Sequence, residues 1–130
     1  MLETLSTETI EAIFDTLPVE VSFVDEADTI RYYNKGDERI SKRTPAVIGM
    51  NVLDCHPKES VQRVNEVISE LKSGRRNVAE FWIDFKGRKI YIWYFAVRDK
   101  TGKYIGTLEV SQDITDLQKI KGEKRLLDEG

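Results

Sequence analysis

Apolar residues recur along this chain in two rhythms. Near the start, Ile10, Ile13, Phe14 and Leu17 are spaced for one helical face, Ser6 or Thr7 can cap that helix, and Pro18 ends it. Residues 19–24 and 30–34 are rich in β-branched and aromatic side chains, and the acidic stretch 25–28 between them reads as a turn, so this pair predicts a hairpin. Residues 37–42 suggest a helical turn or two. Pro45 can open a second short helix, and residues 52–57 read as irregular or 3₁₀. Val61, Val64, Ile68 and Leu71 then return at helical spacing, with Ser73-Gly74 as the stop. From residue 78 the rhythm switches to strands over 78–85, 88–97 and 103–112, broken at Lys86-Gly87 and at 99–102. In the middle strand both alternating sets are apolar, which predicts a central strand covered on both faces.

This order predicts an α+β domain: a five-stranded antiparallel sheet with a cluster of helices on one face, an N-terminal helix and a C-terminal exit helix. The divisions expected are residues 1–17 for the N-terminal flanking helix, 18–115 for the domain and 116–130 for the exit helix or linker. Leu117, Ile120 and Leu127 fall near one face of that last segment, enough to start a coiled coil but too few heptads to establish one.

Composition narrows the function. The 130 residues are 40% hydrophobic and 33% charged, enough apolar material for one core. A net charge of -3, with no basic cluster larger than Arg75-Arg76, argues against a nucleic-acid partner. No apolar run approaches the roughly 18 residues of a membrane helix. The single cysteine, Cys55, excludes an internal disulfide framework and fits a reducing, cytoplasmic compartment.

Residues 17–25, 30–34, 47–51 and above all Gly106–Thr115 (GTLEVSQDIT) resemble, in order and spacing, a PAS domain, and Asp113-Ile114-Thr115 resembles the boundary at which many such domains leave their sheet. Residues 54–60 and 79–83 carry a narrower resemblance, to PAS modules of bacterial proteins that also hold a hemerythrin-like domain. The resemblance implies a non-enzymatic sensory module that binds a small ligand or cofactor and relays a signal through a homodimer and its C-terminal helix.

His56 is the only histidine. The resemblance makes it the candidate axial ligand of a haem, because some haem-binding PAS domains carry theirs on this segment or the next helix, and neutral imidazole is a normal haem ligand. Structurally it reads as a helix-start residue bonded locally. Trp82, Trp93 and Tyr94 are the candidate cavity residues, and a one-residue change of register would reverse which of them faces inward. Cys55 lacks the Asn-Cys-Arg-Phe-Leu-Gln context of flavin-adduct PAS domains and reads as a small structural thiol. Glu80, Asp84 and Glu109 read as solvated or paired residues of the sheet. No catalytic constellation or metal cluster is visible. The competing expectation is a ligand-free interaction module whose cavity is filled by side chains and whose N-terminal helix and outer sheet face hold a homodimer.

Overall fold

The computed structural model describes residues 1–128. Its elements run 3₁₀ (Leu2–Thr4), α1 (Thr7–Thr16), β1 (Glu20–Asp25), β2 (Ile30–Tyr33), 3₁₀ turns at Gly36–Glu38, Pro45–Val47 and Val52–Cys55, α2 (Lys58–Ser73), β3 (Val78–Phe85), β4 (Arg88–Arg98) and β5 (Tyr104–Asp113). The five strands form one antiparallel sheet in the order β2-β1-β5-β4-β3, so the first and last strands lie side by side at its centre. Gly106 permits that contact: a Cβ there would lie 2.4 Å from the Val24 carbonyl oxygen and 2.5 Å from the Phe23 ring.

Local chemistry explains the boundaries. The Ser6 hydroxyl accepts from the Thr9 amide at 3.0 Å and caps α1. Helix α2 ends where Gly74 takes φ 82°, and the Arg98 guanidinium donates at 2.7 Å to the Leu71 carbonyl, which also accepts from the Gly74 amide at 3.4 Å. Lys86 and Gly87, at φ 50° and 77°, make the two-residue turn between β3 and β4. In the next turn the Asp99 carboxylate accepts from the amides of Thr101 and Lys103 at 2.9 and 3.1 Å.

The core lies between α2 and the sheet, where Val24, Ile30, Val52, Val64 and Ile68 pack together. Beside it, the segment after β2 has little regular structure, and buried polar side chains hold it instead. Asn34 is 1% exposed. Its carbonyl oxygen accepts from the Val21 amide at 2.7 Å, and its NH₂ donates to the Phe14 and Val19 carbonyls. Arg39 donates to the carbonyls of Ser41 and Val21 at 3.0 and 3.1 Å, and its guanidinium lies 3.6 Å from Glu20. Glu20 in turn accepts from the amides of Ile40 and Ser41. Burial pulls the Arg39 guanidinium below its ordinary value and the Glu20 carboxylate opposes that shift.

One expectation changes. The C-terminal segment forms one 3₁₀ turn, Leu117–Lys119, and no α-helix through Asp128. A short polar segment with Ile120 and Leu127 at 67% and 91% exposure has no packing to offset the cost of helix nucleation; residues 129–130 of the expected helix lie outside those described. No residue of α1 is buried, and its Phe14 ring sits 5.8 Å from that of Tyr32. On the far edge strand of the outer face, Trp82 is 60% exposed.

Candidate functional site

Strand alternation divides the sheet's side chains into two sets. Ala79, Phe81, Ile83 and Phe85 of β3, Ile90, Ile92 and Tyr94 of β4, and Glu109 and Ser111 of β5 line hollows on the face toward the helices. Trp82, Tyr91, Trp93 and Phe95 form an aromatic ladder on the other face, with neighbouring ring centroids 5.6, 4.5 and 6.4 Å apart. The expected trio of cavity aromatics is thus split. Tyr94 faces inward, whereas Trp82 and Trp93 stand on the opposite face, because each is an odd number of register steps from Tyr94's set.

The inward face holds a cavity of about 490 Å³ between the start of α2 and strands β3 and β4. His56, Ser60, Arg63, Val64, Val67, Ala79, Phe81 and Tyr94 line it. Its size and its mix of apolar wall with a few polar groups suit a small-molecule site. Val64, Val67, Ala79 and Phe81 supply the apolar surface. His56 sits there because the 3₁₀ turn Val52–Cys55 ends on it, and Pro57 then starts α2. The ring Nδ1 lies 2.8 Å from the Val52 carbonyl oxygen. A carbonyl can only accept, so Nδ1 carries the hydrogen, and Nε2 is the ring nitrogen left for another partner. Cys55, next to it, packs half-buried against the core, as the structural reading of a small thiol expects.

Behind the cavity is a polar floor. Burial pushes the Tyr94 phenol well above its ordinary value, and the Glu109 carboxylate adds to that. Glu109 faces inward beside it and lies 3.8 Å from the Arg43 guanidinium. Of the acids expected to be solvated or paired, Glu80 accepts from the Tyr91 hydroxyl at 2.5 Å and Asp84 pairs with Lys89 at 2.5 Å, both on the outer side. Sequence reasoning missed Arg63, Ser60, Arg43 and the inward turn of Glu109. Arg63 and Ser60 were findable in principle, since they flank the apolar stripe of α2 on the side of His56. The Arg43–Glu109 pair joins two distant segments and leaves no local signal.

Beyond the floor, β5 reaches the predicted boundary. The Asp113 carboxylate accepts from Arg88 Nε at 2.7 Å, from the Thr115 hydroxyl at 2.6 Å and from the Thr115 amide at 3.0 Å. The Thr115 hydroxyl oxygen accepts from the Lys89 amide at 2.8 Å. The Arg88 hydrogen bond, followed by those from Thr115, holds the Asp113 carboxyl down at about 2. This knot ties the end of the sheet to the start of β4.

A sheet in this strand order, a cavity over its inner face and a knotted exit at Asp113-Ile114-Thr115 define the class, and the sequence agrees: the profile of a PAS domain family matches residues 10–115, and the chain belongs to that family. PAS domains are sensory and signalling modules, many of which bind ligands. The chain is similar to the crystal structure of a C-terminal domain from Streptococcus mutans, at 36% identity and TM-score 0.83, over 90% of this chain and 91% of that one. Its fold is also that of a PAS domain from Colwellia psychrerythraea (17% identity, TM-score 0.61, 84% of this chain and 97% of that one). The same holds for the PAS domain of Bordetella pertussis BvgS (17%, 0.63, 83% and 85%). No curated protein matches the sequence. No helix among the described residues is long and apolar enough to cross a membrane.

Proposed function

We propose that this PAS domain is a non-enzymatic sensor whose cavity binds a small ligand, with haem the leading candidate and His56 its axial ligand. The observation that carries this reading is the His56 ring: it lines the cavity, and its Nδ1 is engaged by the Val52 carbonyl, which leaves Nε2 for a metal. The other lining residues fit the group. Val64, Val67, Ala79 and Phe81 offer apolar contact to a macrocycle, and Arg63 is a cation suited to a carboxylate at its rim. Haem would supply an iron that responds to redox state or to a bound gas.

Occupation of the cavity would be felt by Tyr94, which pairs across the sheet with Glu109 on β5. That strand leads to the Asp113 knot, so the output runs along β5 to whatever follows Thr115, in the same chain or in a second copy. A second reading has its own support. The exposed Trp82 and its ladder suit a protein contact, as a ligand-free interaction module in a homodimer would require. Haem titration with an absorption readout separates the two: the sensor reading expects a Soret band that His56→Ala abolishes, and no band in the folded wild type leaves the interaction reading.

A further inference from the structure

Among the described residues, strand β3 is an edge of the sheet. It is eight residues long and pairs with β4 alone among them. Val78, Phe81, Trp82, Ile83 and Phe85 are 41%, 40%, 60%, 42% and 37% exposed. It holds no proline, no bulge and no lysine within its span, three of the devices that blunt an edge, and its only charges are the acids Glu80 and Asp84. The two-residue turn after it closes on the Phe85–Arg88 pair, which exchanges hydrogen bonds in such turns. By alternation Ile83, Phe81 and Ala79 bond to β4, and the N–H and C=O groups of Val78, Glu80, Trp82 and Asp84 point to the open edge. Among the described residues, no backbone hydrogen bond outside the sheet uses those four.

From this geometry we propose that β3 pairs antiparallel with the β3 of a second copy, about a two-fold axis at Phe81, so that each copy closes the open side of the other's cavity. Charge selects the register. An axis at Trp82 would set Glu80 opposite Asp84 on both sides, and like charges directly opposite destabilise a sheet. An axis at Ile83 would need Lys86 in the ladder, but Lys86 is already in the turn, at φ 50°. An axis at Phe81 sets Val78 opposite Asp84 and Glu80 opposite Trp82, uses every open-edge group within β3, and sets no acid directly opposite another; its acids meet only on the longer diagonals. The interface is isologous, as two-fold symmetry requires. It also continues one sheet through both copies with their helix-bearing faces on the same side. Phe81 lines the cavity and is on the axis, so the second copy's Phe81 covers the side that β3 leaves exposed. This completes the ligand site of the sensor reading but rests on the edge alone, and it stands without haem.

Sedimentation measures the oligomer and cysteine scanning its register, in a Cys55→Ser background. At an axis residue of a non-hydrogen-bonded pair the Cα atoms are about 4.5 Å apart, within reach of a disulfide. Phe81→Cys should therefore cross-link on oxidation, while Trp82→Cys and Ile83→Cys should not. Val78 is on the surface and allows a second test that does not depend on the cavity. Val78→Lys, opposite Asp84 twice per dimer, should tighten association by a few-fold to about tenfold, and Val78→Asp should weaken it by a similar factor. A wild type that sediments as a monomer overturns the proposal. So does preferential cross-linking at Trp82 or Ile83, or a dimer indifferent to both Val78 changes. If the Soret band fails but this dimer stands, only the haem reading falls; if the band appears in a monomer, only this one does.

Discussion

Replacing Arg39 with methionine removes the guanidinium that faces Glu20 inside the fold. The two side chains are 2% and 5% exposed, so water cannot take the place of either partner. Breaking a buried pair by deleting one member costs about 3–5 kcal/mol, because the other charge is left uncompensated. The Val21 and Ser41 carbonyls also lose donors at 3.1 and 3.0 Å. Against a total stability of roughly 5–15 kcal/mol for a domain, this is a large fraction. Methionine has a similar length, so the loss is not one of volume. Urea unfolding followed by tryptophan fluorescence should show the midpoint falling with an unchanged slope, equivalent to about 3 kcal/mol or more. Glu20→Gln should cost less, since its carbonyl oxygen still accepts from the Ile40 amide. The double variant Glu20→Gln with Arg39→Met should lose less than the two single losses added, by about 1 kcal/mol or more. A single-variant loss below about 1 kcal/mol, or strict additivity, would show that the pair does not organise the segment after β2.

The Asp113 knot predicts a pH dependence. Its carboxyl is lowered from 3.8 to about 2 in the folded chain, so the stabilisation is present above about 4 and is lost as pH falls through 2; a carboxyl-detected NMR titration should find that low value, and Arg88→Ala should move it upward. Gly106→Ala should destabilise by roughly 1–3 kcal/mol, read as a lower thermal midpoint, because its Cβ would lie within 2.6 Å of Phe23 ring atoms and of the Val24 carbonyl; an unchanged midpoint would mean that β1 and β5 are not in the tight contact described.

Much of the fold was legible because it is written in local patterns. The strand limits of residues 78–85 are those observed, since the Lys86-Gly87 turn and the alternation agree on them. Helix α2 was readable from Val61, Val64, Ile68 and Leu71 and from its Gly74 stop. The exit helix was not, because a polar sequence can look helical while only packing would make it so. The site was half legible. His56 could be singled out as the lone imidazole, and it does line the cavity. Trp82, Trp93 and Tyr94 could not be sorted, because both alternating sets of β4 are apolar and period alone does not say which set faces the helices. Glu20 and Ser22 point inward while Val21 and Phe23 point outward, the reverse of the usual pattern. Their inward turn depends on Arg39, a partner 17 to 19 residues away whose role no local spacing announces.

In the proposed sensor, the cavity beneath α2 holds its ligand through His56. Haem titration of the folded chain, followed from the near ultraviolet through the visible, is the measurement that decides this. A sharp Soret band with saturable, equimolar uptake is expected, and its loss in His56→Ala with the circular dichroism of the fold intact. A wild type that takes up no haem, or a band that persists unchanged in His56→Ala, would contradict it.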